Sequence, residues 1–194
     1  QKGVDLVLGI AEELLKQPVQ LVLLGNGDRN YEIEWRRLAC DYPGRVAVTI
    51  GYDVSLAHLI EAGSDFFLMP SRFEPCGLNQ MYSMRYGTVP LVRATGGLAD
   101  TVVDPDERPG EANGFVFRAP LPVEVLKTVR RAIRAFRDRK LWRSLILRGM
   151  GRDPAMGSNI PSGLDCVSAC RGTIAGSQLI AHHAGRAASP GRTI

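Results

Sequence analysis

Apolar residues at positions 4, 7, 8, 11, 14 and 15 make a stripe at helical spacing that Pro18 ends, so residues 4–16 are predicted as one helix with Lys2 and Gly3 at its start. The next apolar run, over 20–24, is short and continuous, the pattern of a strand buried on both faces, and it breaks into the turn Gly25-Asn26-Gly27-Asp28. The alternation then repeats. Residues 31–42 are predicted as a helix, 46–50 as a strand, Gly51-Tyr52-Asp53 as the loop at its end, and 55–62 as a helix. Strand 65–69, helix 78–86 stopped by Gly87, strand 89–92 and a short helix at Leu98 follow. A Pro-, Gly- and acid-rich loop at 104–113 leads to strand 115–117, a helix over 122–139 with Pro122 in its first turn, and a second helix over 141–149. This order predicts an α/β fold, a doubly wound parallel sheet whose ligands gather at the strand ends.

Residues 69–90 are the stretch around which the rest is organised. They place one carboxylate, Glu74, in a tight turn between a buried strand and a helix. Pro70 and Pro75 stiffen that turn, Gly77 lets backbone approach a ligand, and the free N–H groups at the helix start favour an anion such as a nucleotide phosphate. Strand end, carboxylate and helix start together make a candidate sugar-phosphate site. The residues alone leave alternatives open: Glu74 as a cap on the helix beginning near Gly77 and Leu78, Lys2 as a solvated surface lysine, Tyr52 as a packed core tyrosine. Gly25-Asn26-Gly27-Asp28 is likewise either a weak nucleotide signal or a plain strand-to-helix turn.

Ser71-Arg72-Phe73-Glu74-Pro75-Cys76-Gly77-Leu78-Asn79-Gln80 resembles the signature of bacterial glycogen synthases and plastid starch synthases, retaining glycosyltransferases of two-domain GT-B architecture. Thr95-Gly96-Gly97-Leu98-Ala99-Asp100-Thr101-Val102 resembles the next motif of the same family. Gln1-Lys2-Gly3, Leu24-Gly25-Asn26-Gly27-Asp28, Gly51-Tyr52-Asp53 and Gly114-Phe115 also fall where that family has them, so the likeness runs from Gln1 to about Asp153. It covers the second domain of such an enzyme. The resemblance implies a Rossmann-like C-terminal half of a GT-B fold in residues 1–153, lacking its first strand and its N-terminal partner domain. It implies a hexosyltransferase that moves glucose from ADP-glucose to the non-reducing end of an α-1,4-glucan in glycogen or starch synthesis. The compartment implied is bacterial cytoplasm or plastid.

Among site residues, the resemblance implies that Glu74 contacts the glucosyl hydroxyls with Cys76 and Gly77 beside the sugar. Lys2 serves as a point charge on the diphosphate, Tyr52 stacks on adenine, and Leu78, Asn79 and Gln80 offer helix-start N–H groups to the phosphates. Asn79 departs from the threonine common in bacterial members, which leaves a backbone contact intact and removes a hydroxyl. Tyr82 stands eight residues after Glu74, where the wider GT-B pattern has a second glutamate. Neither cofactor nor metal is implied: Asp104-Pro105-Asp106 matches a short Asp-x-Asp pattern, but in a Pro-rich loop it reads as a turn. The rival from another class is a non-catalytic nucleotide- or glucan-binding module.

Composition changes the picture at two points. The net charge of +4 is concentrated between Lys127 and Arg152, too modest for a nucleic-acid binder, and Arg130, Arg131, Arg134 and Arg137 surround Val129, Ile133 and Phe136 as a solvated helix face. No apolar run approaches the ~20 residues that span a bilayer, so no membrane partner is expected. Residues 154–194 carry no Lys, Glu or aromatic and no persistent period, and read as an unrelated, disordered tail, such as a shifted reading frame would produce. Cys166, Cys170, His182 and His183 in that tail fit no common zinc spacing, and the four cysteines of the chain suggest no disulfide framework. Because the chain opens at Gln1 on the helix expected after a central strand, it reads as a fragment, poorly folded and inactive alone.

Overall fold

The computed structural model describes residues 1–152 and the backbone of a strand at Gln178–His183. In chain order the elements are α1 (Val4–Leu8), α2 (Ala11–Leu15), β1 (Val19–Gly25), α3 (Arg29–Asp41), β2 (Val46–Ile50), α4 (Val54–Gly63) and β3 (Phe66–Met69). They continue as α5 (Asn79–Arg85), β4 (Val89–Arg93), α6 (Gly97–Thr101), β5 (Phe115–Phe117), α7 (Pro122–Arg137), α8 (Arg139–Met150) and β6 (Gln178–His183). The sheet order is β2-β1-β6-β3-β4-β5. Strands β1 to β5 run parallel to one another, with Leu21 opposite Val46, Met69 opposite Val92 and Leu91 opposite Phe115, whereas β6 runs antiparallel to both of its neighbours.

Side chains alternate between two cores, one on each face of the sheet. Phe66 and Leu68 of β3 join Val89 and Leu91 of β4 in the larger core under α1, α2, α3, α7 and α8, while Phe67, Met69 and Val92 meet Leu98 and Val102 on the other face. A central parallel strand must be apolar on both faces for this reason. The parallel direction brings the ends of β1 to β4, and the turns that follow them, to one rim of the sheet.

Three sequence expectations change. The stripe over 4–16 forms two short helices, because Ile10 leaves helical dihedrals (φ −127°) directly after Gly9; glycine inside a helix costs about 1 kcal/mol relative to alanine. The break keeps Leu6, Val7, Ile10, Ala11, Leu14 and Leu15 all buried. Arg131 does not belong to a solvated face: its guanidinium pairs with Asp104 and Asp106 and lies 5.5 Å from the centre of the Phe115 ring. Asp104, buried, also accepts the N–H of Asp106 (2.9 Å) and of Val116 (2.7 Å), so its carboxylate organises a turn.

The third change concerns the centre of the sheet. Among the described residues the slot expected for a parallel strand between β1 and β3 is occupied by β6, which runs antiparallel to both, Leu21 and Phe66 each opposite Ala181. An unfilled slot between two buried strands would strand backbone N–H and C=O groups at about 1–3 kcal/mol each. That cost favours any segment able to extend there, even one whose sequence shows no period. Six residues of the stretch read as disordered are therefore in the sheet. The remainder of 153–194, including Cys166 and Cys170, lies outside the described residues, as do the side chains of His182 and His183. No helix among the described residues is long and apolar enough to cross a membrane.

Candidate active site

The rim of the sheet carries a small cleft lined by Lys2, Val4, Val7, Phe67, Met69, Ser71, Glu74 and Asn79. Its walls are the end of β3, the turn into α5, and the start of α1. Glu74 is buried, at 6% exposure, between the exposed Phe73 and Pro75. The Nζ of Lys2 donates to Glu74 Oε2 at 2.7 Å, and the Oγ of Ser71 donates to the same oxygen at 3.2 Å. A carboxylate taken out of water needs such donors, and a lysine from a distant part of the chain supplies the charge. The carboxylate therefore points to Lys2 and Ser71 rather than capping α5, whose first turn receives no side-chain hydrogen bond.

Lys2 is held by its backbone. Gly3 adopts φ 73°, and a Cβ there would stand 2.1 Å from the carbonyl oxygen of Pro70, so only glycine lets the start of α1 lie against the end of β3. The N–H of Arg72 donates to Gln1 O at 2.8 Å, and the guanidinium of Arg72 makes a two-pronged ion pair with Asp5, both contacts 2.6 Å. The hydrogen bond to Arg72 holds the Asp5 carboxyl below the usual carboxylate range, despite partial burial.

The second motif packs beneath the first. A Cβ on Gly96, whose φ is 47°, would stand 2.1 Å from Glu74 O, and one on Gly97 would stand 2.0 Å from Cys76 O. The side chain of Gln80, fully buried, donates from Nε2 to Thr101 Oγ1 at 2.9 Å, and Thr101 Oγ1 donates to Gly97 O at 2.6 Å. The double glycine of this motif lets α6 support the backbone of Glu74 and Cys76.

The other predicted site residues divide. Cys76 is half-buried, Gly77 takes the left-handed conformation (φ 65°) that the turn requires, and Leu78 and Asn79 are half-buried at the start of α5. Gln80 is fully buried and directs its Nε2 to α6. Tyr52 is apart from this group: it stands 59% exposed at the end of β2, in the turn that Asp53 closes by accepting the N–H of Leu56 at 2.9 Å. Both turns lie on the same rim of the sheet, Tyr52 following β2 and Glu74 following β3. Asp5 and Arg93 are contributors that pattern reasoning did not single out, and Ser71 and Arg72 stood in the first motif without a role; a charged residue ending a buried strand was the available signal for Arg93.

A sheet covered by helices on both faces, with a carboxylate and a cation paired at the strand ends, is the architecture of a Rossmann-like α/β domain. Residues 1–144 match the family described as glycosyl transferases group 1, and the chain belongs to that family. It is 56% identical over 163 residues to a glycogen synthase of Aromatoleum aromaticum, an alignment covering 82% of this chain and 33% of that protein. It is 57% identical over 156 residues to glycogen synthase 1 of Methylococcus capsulatus, covering 79% and 32%. The chain thus spans about a third of the length of the curated relatives it matches. Among solved structures, the catalytic domain of starch synthase IV from Arabidopsis thaliana, bound to ADP and acarbose, superposes with a TM-score of 0.75 at 33% identity, over 90% of this chain and 36% of that one. The fold is the Rossmann-like GT-B half expected from the motifs.

Proposed function

We propose that residues 1–152 form the donor-binding half of a retaining glucosyltransferase that takes glucose from ADP-glucose and adds it to the non-reducing end of an α-1,4-glucan. The observation that carries this reading is the Lys2 to Glu74 pair, 2.7 Å apart, at the end of β3. The likeness to glycogen synthases and to a starch synthase bound to ADP supports the choice of donor and acceptor. In the transfer, the bond from the anomeric carbon to the diphosphate breaks, a bond to the 4-hydroxyl of the glucan forms, and that hydroxyl gives its proton to the departing diphosphate. Charge develops as the first bond lengthens: positive on the sugar ring, negative on the departing diphosphate.

Glu74 holds sugar hydroxyls while the ring gains charge, and its negative field favours that state. Lys2, beside it, is a compact cation for the phosphate oxygens. The backbone at Leu78, Asn79 and Gln80 faces the phosphates, Cys76 and Gly77 flank the sugar, and Tyr52 offers an open aromatic face for the adenine. The acceptor half of the cleft belongs to an N-terminal GT-B domain outside this chain, so these residues alone bind donor and transfer nothing.

The test is calorimetric titration of the 194-residue chain with ADP-glucose, UDP-glucose and ADP, followed by glucosyl transfer to glycogen before and after fusion to the N-terminal domain of a glycogen synthase. Tighter binding of ADP-glucose than of UDP-glucose, with transfer only in the fusion, is the expected result. Binding without transfer in any fusion would favour a non-catalytic module.

A further inference from the structure

Glu74 and Lys2 lie 72 positions apart in the chain, so something must hold their two segments in register. Arg93, the last residue of β4, is half-buried beside the turn that carries Glu74. Its Nε donates to the carbonyl of Ser71 at 2.7 Å and its Nη2 donates to the carbonyl of Arg72, while Nη1 reaches the carbonyl of Arg118 at 3.5 Å. Two of the three are successive carbonyls in the turn. Each belongs to a residue with a second duty: Ser71 donates its hydroxyl to Glu74, and Arg72 ties the turn to Gln1 and Asp5 around Lys2.

We propose that Arg93 is a positioning residue for Glu74, a planar fork that fixes the backbone of Ser71 and Arg72 and thereby aligns both the carboxylate and the segment bearing Lys2. The geometry fits guanidinium chemistry. A rigid fork can donate to two adjacent carbonyls at once, whereas a lysine ammonium at that position is a single flexible point charge. The role rests on the reading that Glu74 meets the sugar of the donor.

The experiment uses the 194-residue chain with Arg93→Lys, Glu74→Ala and the double variant. Without ligand, Arg93→Lys should speed amide exchange at Arg72 about tenfold while Ala94, bonded to Phe117 O at 2.7 Å, keeps its rate. Unchanged exchange at Arg72, or equal acceleration at Ala94, would mean that the arginine supports the sheet rather than the turn, and would overturn the proposal. With ligand, Arg93→Lys should weaken ADP-glucose about tenfold and ADP less than twofold, and this loss should vanish in the Glu74→Ala background, the sign of two residues acting as one unit. Equal weakening of both ligands, or a loss that persists without Glu74, also overturns it. If the parent chain binds ADP-glucose no better than ADP, the donor reading fails instead, and the exchange rates alone decide the role of Arg93.

Discussion

Two turns on the same rim of the sheet were read from the sequence as parts of one site, and they are built in opposite ways. The turn from β3 into α5 is held from every side: by Gly3 and Gln1, by Arg93, and by Gly96 and Gly97 underneath. The turn from β2 into α4 is open, with Tyr52 exposed and nothing within 4 Å of where a Cβ on Gly51 would lie. The buried acids of the two segments also differ: Glu74 sits in its turn with Lys2 at 2.7 Å, whereas Glu61, in the last turn of α4 at the far end of that helix, has His58 at 3.9 Å and is pushed up to about 7 by burial. In the proposed function the contrast separates two demands on a donor site. Charge that develops during reaction needs groups fixed beforehand, while a flat base needs only an accessible face.

The largest expected effect is that of Glu74→Ala in a complete two-domain enzyme carrying this domain. Turnover should fall about a hundred- to a thousandfold while ADP affinity stays within a few-fold, because in the proposed function the carboxylate acts on sugar rather than on nucleotide. Steady-state kinetics with a parallel ADP titration measure both. A matching loss of ADP affinity would make Glu74 a structural residue and erase the distinction between the turns.

Gly96→Ala tests the packing directly. The new methyl would meet Glu74 O at 2.1 Å from a backbone with φ 47°, so the clamped turn must move. A loss of about 2–4 kcal/mol of stability is expected. Gly51→Ala in the open turn carries a strained φ of 148° without any neighbour to meet, and should cost about 1 kcal/mol. Equal losses in chemical denaturation would show that the two turns are equally constrained.

Glu61→Gln sharpens the comparison of acids. Burial raises Glu61 from its ordinary 4.5 to about 7, so between those values the folded protein keeps a proton that the unfolded chain has released. Stability therefore falls as pH rises through this window and levels off above it. A neutral glutamine removes the dependence, and the variant should gain about 1–3 kcal/mol over the parent at pH 8 but little at pH 4.5. Denaturation curves at the two pH values decide it; a pH-independent difference would mean that burial is not what perturbs this carboxyl.

What the sequence disclosed and what it hid follow the same line between local and distant. Strand 46–50 was placed to the residue and Glu74 to the correct turn, because apolar runs and Pro/Gly punctuation act over a few neighbours. The contact of Lys2 with Glu74 spans 72 positions and that of Arg131 with Asp104 spans 27, so helical spacing alone assigned Arg131 to the wrong environment. The support that Gly96 and Gly97 give to Glu74 and Cys76 is a matter of backbone approach, which a Gly-Gly pair announces without naming its partner. The filling of the central slot by β6 was hidden most completely, since the demand for a strand there arises only once β1 and β3 are side by side.

The smallest expected effect belongs to Tyr52, and its size is itself informative. The ring is 59% exposed and its turn is closed by Asp53, not by contacts of the tyrosine, so removing it should leave the fold intact. Stacking of an aromatic face on a base is worth about 0.5–1.5 kcal/mol beyond the area buried, and Tyr52→Ala should therefore weaken ADP roughly three- to tenfold. Because the base is common to both ligands, ADP-glucose should weaken by the same factor, and turnover at saturating donor should not change. That is the mirror image of Glu74→Ala, which spares ADP and lowers turnover. An unchanged dissociation constant for ADP would remove Tyr52 from the site, and a fall in turnover at saturation would mean that the open turn, like the clamped one, is organised around the reacting bond.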